Sequence, residues 1–258
     1  MSAQDLFSIS GKVAVVTGGS RGIGLMIARG MVEAGATVYI SSRKADVCDA
    51  VAAELSEIGS CVSIPADLST AEGLDTLAGG VSEHEDRLHI LVNNAGAAWG
   101  APLEEYPEHA WSKVMDLNVK AIFELTRRLL PQLRAAATPE DPARVINIGS
   151  IDGLRVPLLN NYAYSASKAA VHMLTRHMAH HLVDDHITVN AIAPGLFPSK
   201  MTKFIFDNLP EEQLVGNIPM GRHGEPHDMA GTAIYLSSRA GSYLTGAVIP
   251  VDGGVSTR

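Results

Sequence analysis

The chain has only two cysteines in 258 residues. Cys48 and Cys61 lie in unrelated segments without metal-ligand spacing, which argues against a disulfide framework and for two reduced thiols. Positive charge is also scarce. Against 28 Asp and Glu there are 20 Lys and Arg, a formal net charge of −8, and such a surface is poorly suited to neutralising the phosphates of nucleic acid. No apolar run approaches the length of a membrane span. Met1 to Ser10 contains Asp5 and no apolar stretch, so it does not have the form of a secretory signal. A soluble cytoplasmic protein is expected, with neither nucleic acid nor membrane as partner. Fixed-period repeats and linkers are missing too, and residues 1–258 read as a single domain.

What is present suits a buried core: 46% of the residues are apolar and 19% charged. Short β-branched runs recur at Val13 to Thr17, Thr37 to Ser41, Cys61 to Ile64, Ile90 to Val92, Val145 to Ile148, Ile187 to Ala193 and Ala247 to Val251. Near-continuous apolar strands of this kind belong to a sheet covered on both faces. Helical patterns alternate with them at Gly22 to Ala34, Asp46 to Ile58, Thr70 to Glu85, Glu108 to Ala135 and Tyr162 to Val183. The alternation predicts an α/β fold with a doubly wound parallel sheet of seven strands and helices on both faces. Ala135 to Pro142 reads as a polar excursion before the fifth strand. Residues 195–225, with an amphipathic piece near Thr202 to Leu209, follow the carboxyl end of a strand and are expected to cover a substrate.

The segment Thr17-Gly18-Gly19-Ser20-Arg21-Gly22-Ile23-Gly24 leaves the first strand and opens a helix. Glycines there let the backbone approach a pyrophosphate, and the free N–H groups of the helix start give it positive potential. At the end of the second strand stand Ser41-Ser42-Arg43-Lys44. An enzyme preferring NAD places a carboxylate at this point for the ribose 2′-hydroxyl; cations suit a 2′-phosphate instead, and Arg21 can approach it from the glycine turn. NADP(H) is the expected cofactor.

Tyr164-Ser165-Ala166-Ser167-Lys168 begins a long helical pattern, and residues four apart share one helix face. A free tyrosine titrates near about 10, and a neighbouring ammonium favours its phenolate, so Tyr164 beside Lys168 is a candidate acid/base. Tyr162 projects from a largely different face. Ser150 follows the fifth strand at the sheet's carboxyl edge, where a hydroxyl can hold a substrate oxygen. Asn118, in the helical stretch after Pro107, is placed to join Lys168 to solvent through water.

In these motifs, and in Asp67-Leu68, Asn93-Asn94-Ala95-Gly96, Pro194-Gly195 and Val251-Asp252-Gly253-Gly254, the chain resembles the short-chain dehydrogenase/reductase (SDR) family. The resemblance runs over nearly the whole length. It implies a Rossmann-type fold and an NADP-dependent oxidoreductase that moves a hydride between nicotinamide and a carbonyl or secondary alcohol, with no metal. Gly18, Ser20, Arg21, Gly22, Ile23, Gly24, Ser42, Arg43 and Leu68 are candidates for binding the cofactor, and the resemblance implies that Asp67 lies near the adenine and that Asn94, Ala95 and Gly96 line the cofactor. Pro194, Gly195, Phe197 and Ser199 are implied to hold the nicotinamide end. Ser150 is implied to position the carbonyl, Tyr164 to act as acid/base, Lys168 to lower its pKa and bind ribose, and Asn118 to maintain a proton relay. Family members are usually tetramers, so a homo-oligomer, tetramer or dimer, is implied.

Within the family the Ala135 to Arg144 excursion and the Val145 to Ser150 strand are similar to 3-oxoacyl (β-ketoacyl) reductases, including the rhamnolipid-pathway type. Asp184-Asp185-His186 departs from the basic residues that dock an acidic carrier protein there. Coenzyme A esters, free ketones, and sugar acids or polyols of the gluconate 5-dehydrogenase type therefore stay open, as does a cofactor-binding sensor without turnover. His177 and His181 lack a third ligand and read as surface histidines, and Glu83 to Asp86 as a solvated helix end.

Overall fold

In the computed structural model, which describes residues 2–157 and 159–257, the seven apolar runs are the strands of one sheet. They are β1 (Val13–Thr17), β2 (Thr37–Ser41), β3 (Ser60–Ser63), β4 (Ile90–Asn93), β5 (Ala143–Ile148), β6 (Ile187–Pro194) and β7 (Val248–Val251). Every pairing is parallel, in the order β3-β2-β1-β4-β5-β6-β7. Residues of β4, β5 and β6 are buried along their whole length, which is why those segments read as unbroken apolar runs rather than as an alternation.

The helices are α1 (Ala3–Phe7), α2 (Gly22–Glu33), α3 (Ala45–Ser56), α4 (Ala71–Ser82), α5 (Glu108–Met115), α6 (Ala121–Ala136), α7 (Tyr162–Leu182), α8 (Lys203–Asn208), α9 (Glu211–Val215) and α10 (Pro226–Ser237). One layer packs Ile27, Met31, Leu55, Met229 and Leu236 from α2, α3 and α10 onto Val16, Ile40, Ile90 and Ile146. The other packs Leu74, Leu77, Leu125, Leu129 and Met178 from α4, α6 and α7 onto Val15, Leu91, Val145 and Val189. Helices on both faces follow, as expected. Cys48 and Cys61 are free thiols buried in the first layer.

The strand order reverses between β1 and β4, so the chain segments leaving their carboxyl ends diverge and open a crevice. Beneath it a buried polar ladder ties the neighbouring elements together. Asn93 on β4 donates to Asn147 Oδ1 on β5 at 2.9 Å and to Thr126 Oγ1 on α6 at 3.3 Å, and Asn147 donates to Thr175 Oγ1 on α7 at 3.0 Å.

Some elements differ from expectation. The stretch expected as one helix over Glu108 to Ala135 is interrupted by a π turn at Asp116–Lys120. β5 starts at Ala143 rather than Val145 because Arg144, only 1% exposed, sits inside the strand, its guanidinium donating to Asp141 Oδ1 and to the Ser238 carbonyl, each at 3.0 Å. α10, which no apolar period announced, starts with Pro226 in its first turn and a reciprocal cap between Glu225 and Asp228. It crosses α2 closely, since a Cβ on Gly30 would stand 2.5 Å from that of Ala230.

Candidate active site

The glycine turn joins β1 to α2 at the point where the strand order reverses. Gly18 and Gly22 adopt φ of +66° and +53°, left-handed values that side chains disfavour. A Cβ on Gly18 would also stand 2.7 Å from Asn94 Nδ2, and one on Gly22 would meet Ser199 Cβ at 3.2 Å. Gly22 and Ser199 thus face each other across the crevice, one from the turn and the other from the 195–225 region. The turn is stapled to β4: the N–H groups of Asn94 and Ala95 donate to Thr17 Oγ1 at 2.8 and 2.9 Å, and Asn94 Nδ2 donates to the Thr17 carbonyl at 2.8 Å. Thr17 was not assigned a site role from sequence. Its position as the last residue of an apolar strand was the available signal.

A dinucleotide fits these residues. The left-handed turn at Gly18 and Gly22 carries no side chain to keep a ligand from the backbone, and the N-terminal N–H groups of α2 lie beside it. Ser20 and Gly24 are buried, Ile23 is half-buried and Arg21 exposed. Past β2, Ser42 is half-buried and Arg43 and Lys44 are exposed cations without an ion-pair partner among the described residues. The Ala66 N–H donates to the Ser42 carbonyl at 3.1 Å, which sets Asp67 beside Arg43. Burial works to raise the Asp67 carboxyl, but bonds from the Ser69 hydroxyl and N–H, at 2.7 and 3.0 Å, and the Arg43 charge hold it below the usual value.

At the carboxyl ends of β5 and α7's first turn the candidate chemical groups come together. Ser150 is buried, and its hydroxyl accepts from the Asp152 N–H at 3.1 Å. Tyr164 and Lys168 share a face of α7, with Lys168 Nζ 5.5 Å from the centre of the Tyr164 ring. The direction of their titration differs from expectation. Burial pushes the Tyr164 phenol up to about 12, the Ser150 hydroxyl opposing this and the Asp152 charge adding to it. Burial also brings Lys168 down to about 8, and its ammonium donates to the Ile148 carbonyl at 2.7 Å. In the chain by itself desolvation therefore sets the direction for both groups.

Asn118 occupies the π turn, the kind of local widening that recurs at functional sites. Its side-chain amide is held by protein groups. Oδ1 accepts from the Ala97 N–H at 2.8 Å, while Nδ2 donates to the Ala97 carbonyl and to Ser167 Oγ, both at 2.9 Å. Ser167 in turn donates to the Tyr164 carbonyl at 2.7 Å. Asn118 so braces α7 and the segment after Gly96; Gly96 itself lies close, its absent Cβ 3.2 Å from Asn118 Oδ1. Ser167 and Ala97 are further residues that sequence did not single out.

The remaining expected residues divide. Pro194 ends β6, and the Gly195 N–H donates to the Val251 carbonyl at 2.9 Å with no room for a side chain before Asp252. Ser199 bonds Thr202 through backbone and hydroxyl. The Phe197 and Leu68 side chains face inward: Phe197 is 2% exposed with its ring against Gly224, and Leu68 belongs to the second core layer. Behind Phe197 a cavity of about 410 Å³ lies among Leu196, Ile218, Met220 and Arg222, and neither Ser150, Tyr164 nor Lys168 lines it.

Comparison with known proteins agrees with this geometry. The family model described as Enoyl-(Acyl carrier protein) reductase matches residues 18–256. The chain is 54% identical over 250 residues to the rhamnolipids biosynthesis 3-oxoacyl-(acyl-carrier-protein) reductase of Pseudomonas aeruginosa, covering 96% of this chain and 97% of that one. It is 38% identical over 275 residues to the short-chain dehydrogenase/reductase PhomF of Diaporthe leptostromiformis, covering 98% and 94%. Among solved structures, the Pseudomonas aeruginosa RhlG/NADP active-site complex superposes with a TM-score of 0.94 at 53% identity, covering 98% of this chain and 99% of that one.

Proposed function

Because the chain belongs to the short-chain dehydrogenase/reductase family, we propose that it is an NADP(H)-dependent oxidoreductase that reduces the ketone of a 3-oxoacyl thioester. The observation that carries the reading is the meeting of Ser150, Tyr164 and Lys168 beside a glycine turn at the reversal of strand order. NADPH, when bound, supplies a hydride to the carbonyl carbon. The Tyr164 hydroxyl gives its proton to the carbonyl oxygen; its high pKa keeps that proton in place at neutral pH, the form reduction needs. Ser150 holds the same oxygen by its hydroxyl, and Lys168 supplies a buried ammonium next to the phenol. Asn118 keeps α7 in place through Ser167. Arg21 and Arg43 favour the 2′-phosphate of NADP(H) over NAD(H), with Gly18, Gly22 and the start of α2 on the pyrophosphate.

Asp184 is exposed and Asp185 is paired with Arg134 at 2.8 Å, so the end of α7 offers an acidic carrier protein an unpaired carboxylate where a docking cation would serve it. The reading also places the enzyme in the cytoplasm as a homo-oligomer, tetramer or dimer. Exposed Trp111, Phe123 and Met173 on α5, α6 and α7 support the latter, and no helix among the described residues is long and apolar enough to cross a membrane.

The test is a substrate screen with NADPH and NADH side by side, following loss of dihydronicotinamide absorbance. Acetoacetyl-CoA is expected to consume NADPH much faster than NADH. Turnover of a keto-gluconate alone would replace the substrate reading, and NADPH binding without turnover of any ketone would replace the enzyme by a sensor.

A further inference from the structure

Among the buried titratable groups that the proposed reaction leaves unused is an imidazole. His172 lies one helical turn beyond Lys168 and two beyond Tyr164, on the same face of α7, and is 3% exposed. Neither ring nitrogen makes a close, well-aligned hydrogen bond among the described residues, and the Gly153 backbone is the polar group that acts on the ring. An apolar side chain would fill the same space without stranding polar atoms, so the ring's presence calls for a reason.

What the ring meets is glycine. A Cβ on Gly149 would lie 2.3 Å from His172 Nε2 and 2.8 Å from its Cδ2, and a Cβ on Gly153 would lie 2.8 Å from Cε1. Neither glycine is among those with positive φ, so backbone conformation does not demand them. At Gly149 the side chain is excluded by the ring. At Gly153 it is excluded chiefly by the α7 backbone, Lys168 C at 2.6 Å and Ala169 N at 2.7 Å. These two glycines bracket Ser150. The neighbouring contacts continue the same register: Lys168 Nζ bonds the Ile148 carbonyl, and the Ser150 hydroxyl acts on Tyr164. One face of α7 is thus matched, turn by turn, to the chain as it leaves β5.

We infer that His172 is a positioning residue whose ring spaces the Gly149–Gly153 turn from α7 and so sets the Ser150 hydroxyl against Tyr164. Burial first, then the Lys168 charge, bring the imidazole down to about 4, so near neutral pH it packs as an uncharged body beside the ammonium. The inference rests on the Ser150–Tyr164 reading of the site and not on the identity of the ketone.

The experiment is a set of variants, His172→Ala, Gly149→Ala, Gly153→Ala and the two doubles that add His172→Ala to each glycine change. Each is assayed with NADPH and acetoacetyl-CoA, or the ketone turned over in the screen, alongside NADPH binding by fluorescence and thermal melting. His172→Ala is expected to lower kcat about 10- to 100-fold with the NADPH Kd unchanged, as a misplaced hydroxyl would. Gly149→Ala is expected to fall similarly, and the double with His172→Ala to recover at least about fivefold over Gly149→Ala alone, a non-additive result. Gly153→Ala, blocked by backbone, is expected to gain nothing from the same change. His172→Asn, which keeps part of the volume, serves if the alanine variant does not fold, and is expected to lose less. Full kcat in a folded His172 variant, or losses at His172 and Gly149 that simply multiply, would overturn the inference. A wild-type protein that reduces no ketone marks failure of the enzyme reading instead.

Discussion

Tyr164 and Lys168 lie on successive turns of α7, and burial moves both toward their neutral forms, the phenol to about 12 and the amine to about 8. A reducing site needs the phenol protonated, which holds throughout the working range. It also needs the ammonium, whose population falls as pH rises through about 8. The reductive kcat is therefore expected to be level between about pH 6 and 7 and to decline with an apparent pKa near 8, measured under saturating NADPH and ketone. A profile flat to pH 10, or one falling on the acid side of 7, would assign the limb to another group. The spacing of four residues and the residue types disclosed that these groups share a face. They could not disclose that the ammonium is spent on the Ile148 carbonyl, or that desolvation pushes the phenol upward, because both depend on what surrounds the helix. Arg43 was readable because its neighbours are in sequence; Thr17 was not, since its hydroxyl serves Asn94 and Ala95 from a distant strand.

At the level of elements, the ladder of Asn93, Asn147, Thr126 and Thr175 ties β4, β5, α6 and α7 together directly beneath Ser150. Its members are buried, so an unpaired amide there cannot turn to water. Asn147→Ala removes the shorter of the two bonds made by the Asn93 amide, leaving it only Thr126, and removes the bond to Thr175, and is expected to cost about 1–3 kcal/mol. Thermal denaturation should read this as a melting temperature lower by about 2–12 °C, and an unchanged melting temperature would remove the ladder's structural role. Strands and long helices were legible here because their apolar periods are long. The misreadings have local causes: a buried charge at Arg144 hid the start of β5, and a π turn carries the helical period on while changing which face Asn118 presents. α10 carried its signal in Glu225, Pro226 and Asp228 rather than in periodicity.

For the whole molecule, the alternation of strand and helix was enough to expect a doubly wound parallel sheet, and the observed order, reversing between β1 and β4, places the glycine turn and the Asn94 segment at one crevice. The third wall, from Pro194 through Ser199, reaches that crevice only because Ser199 comes to rest against Gly22, a contact between residues remote in sequence. Substrate choice is the least legible property for the same reason, since it is written in segments whose placement depends on everything beneath them. The central claim is that Tyr164 delivers the proton, and the most direct test is Tyr164→Phe, assayed for NADPH consumption with acetoacetyl-CoA and for NADPH binding on the same sample. Binding is expected to persist while kcat falls by about 10²- to 10⁴-fold; undiminished turnover by that variant would contradict the role of Tyr164.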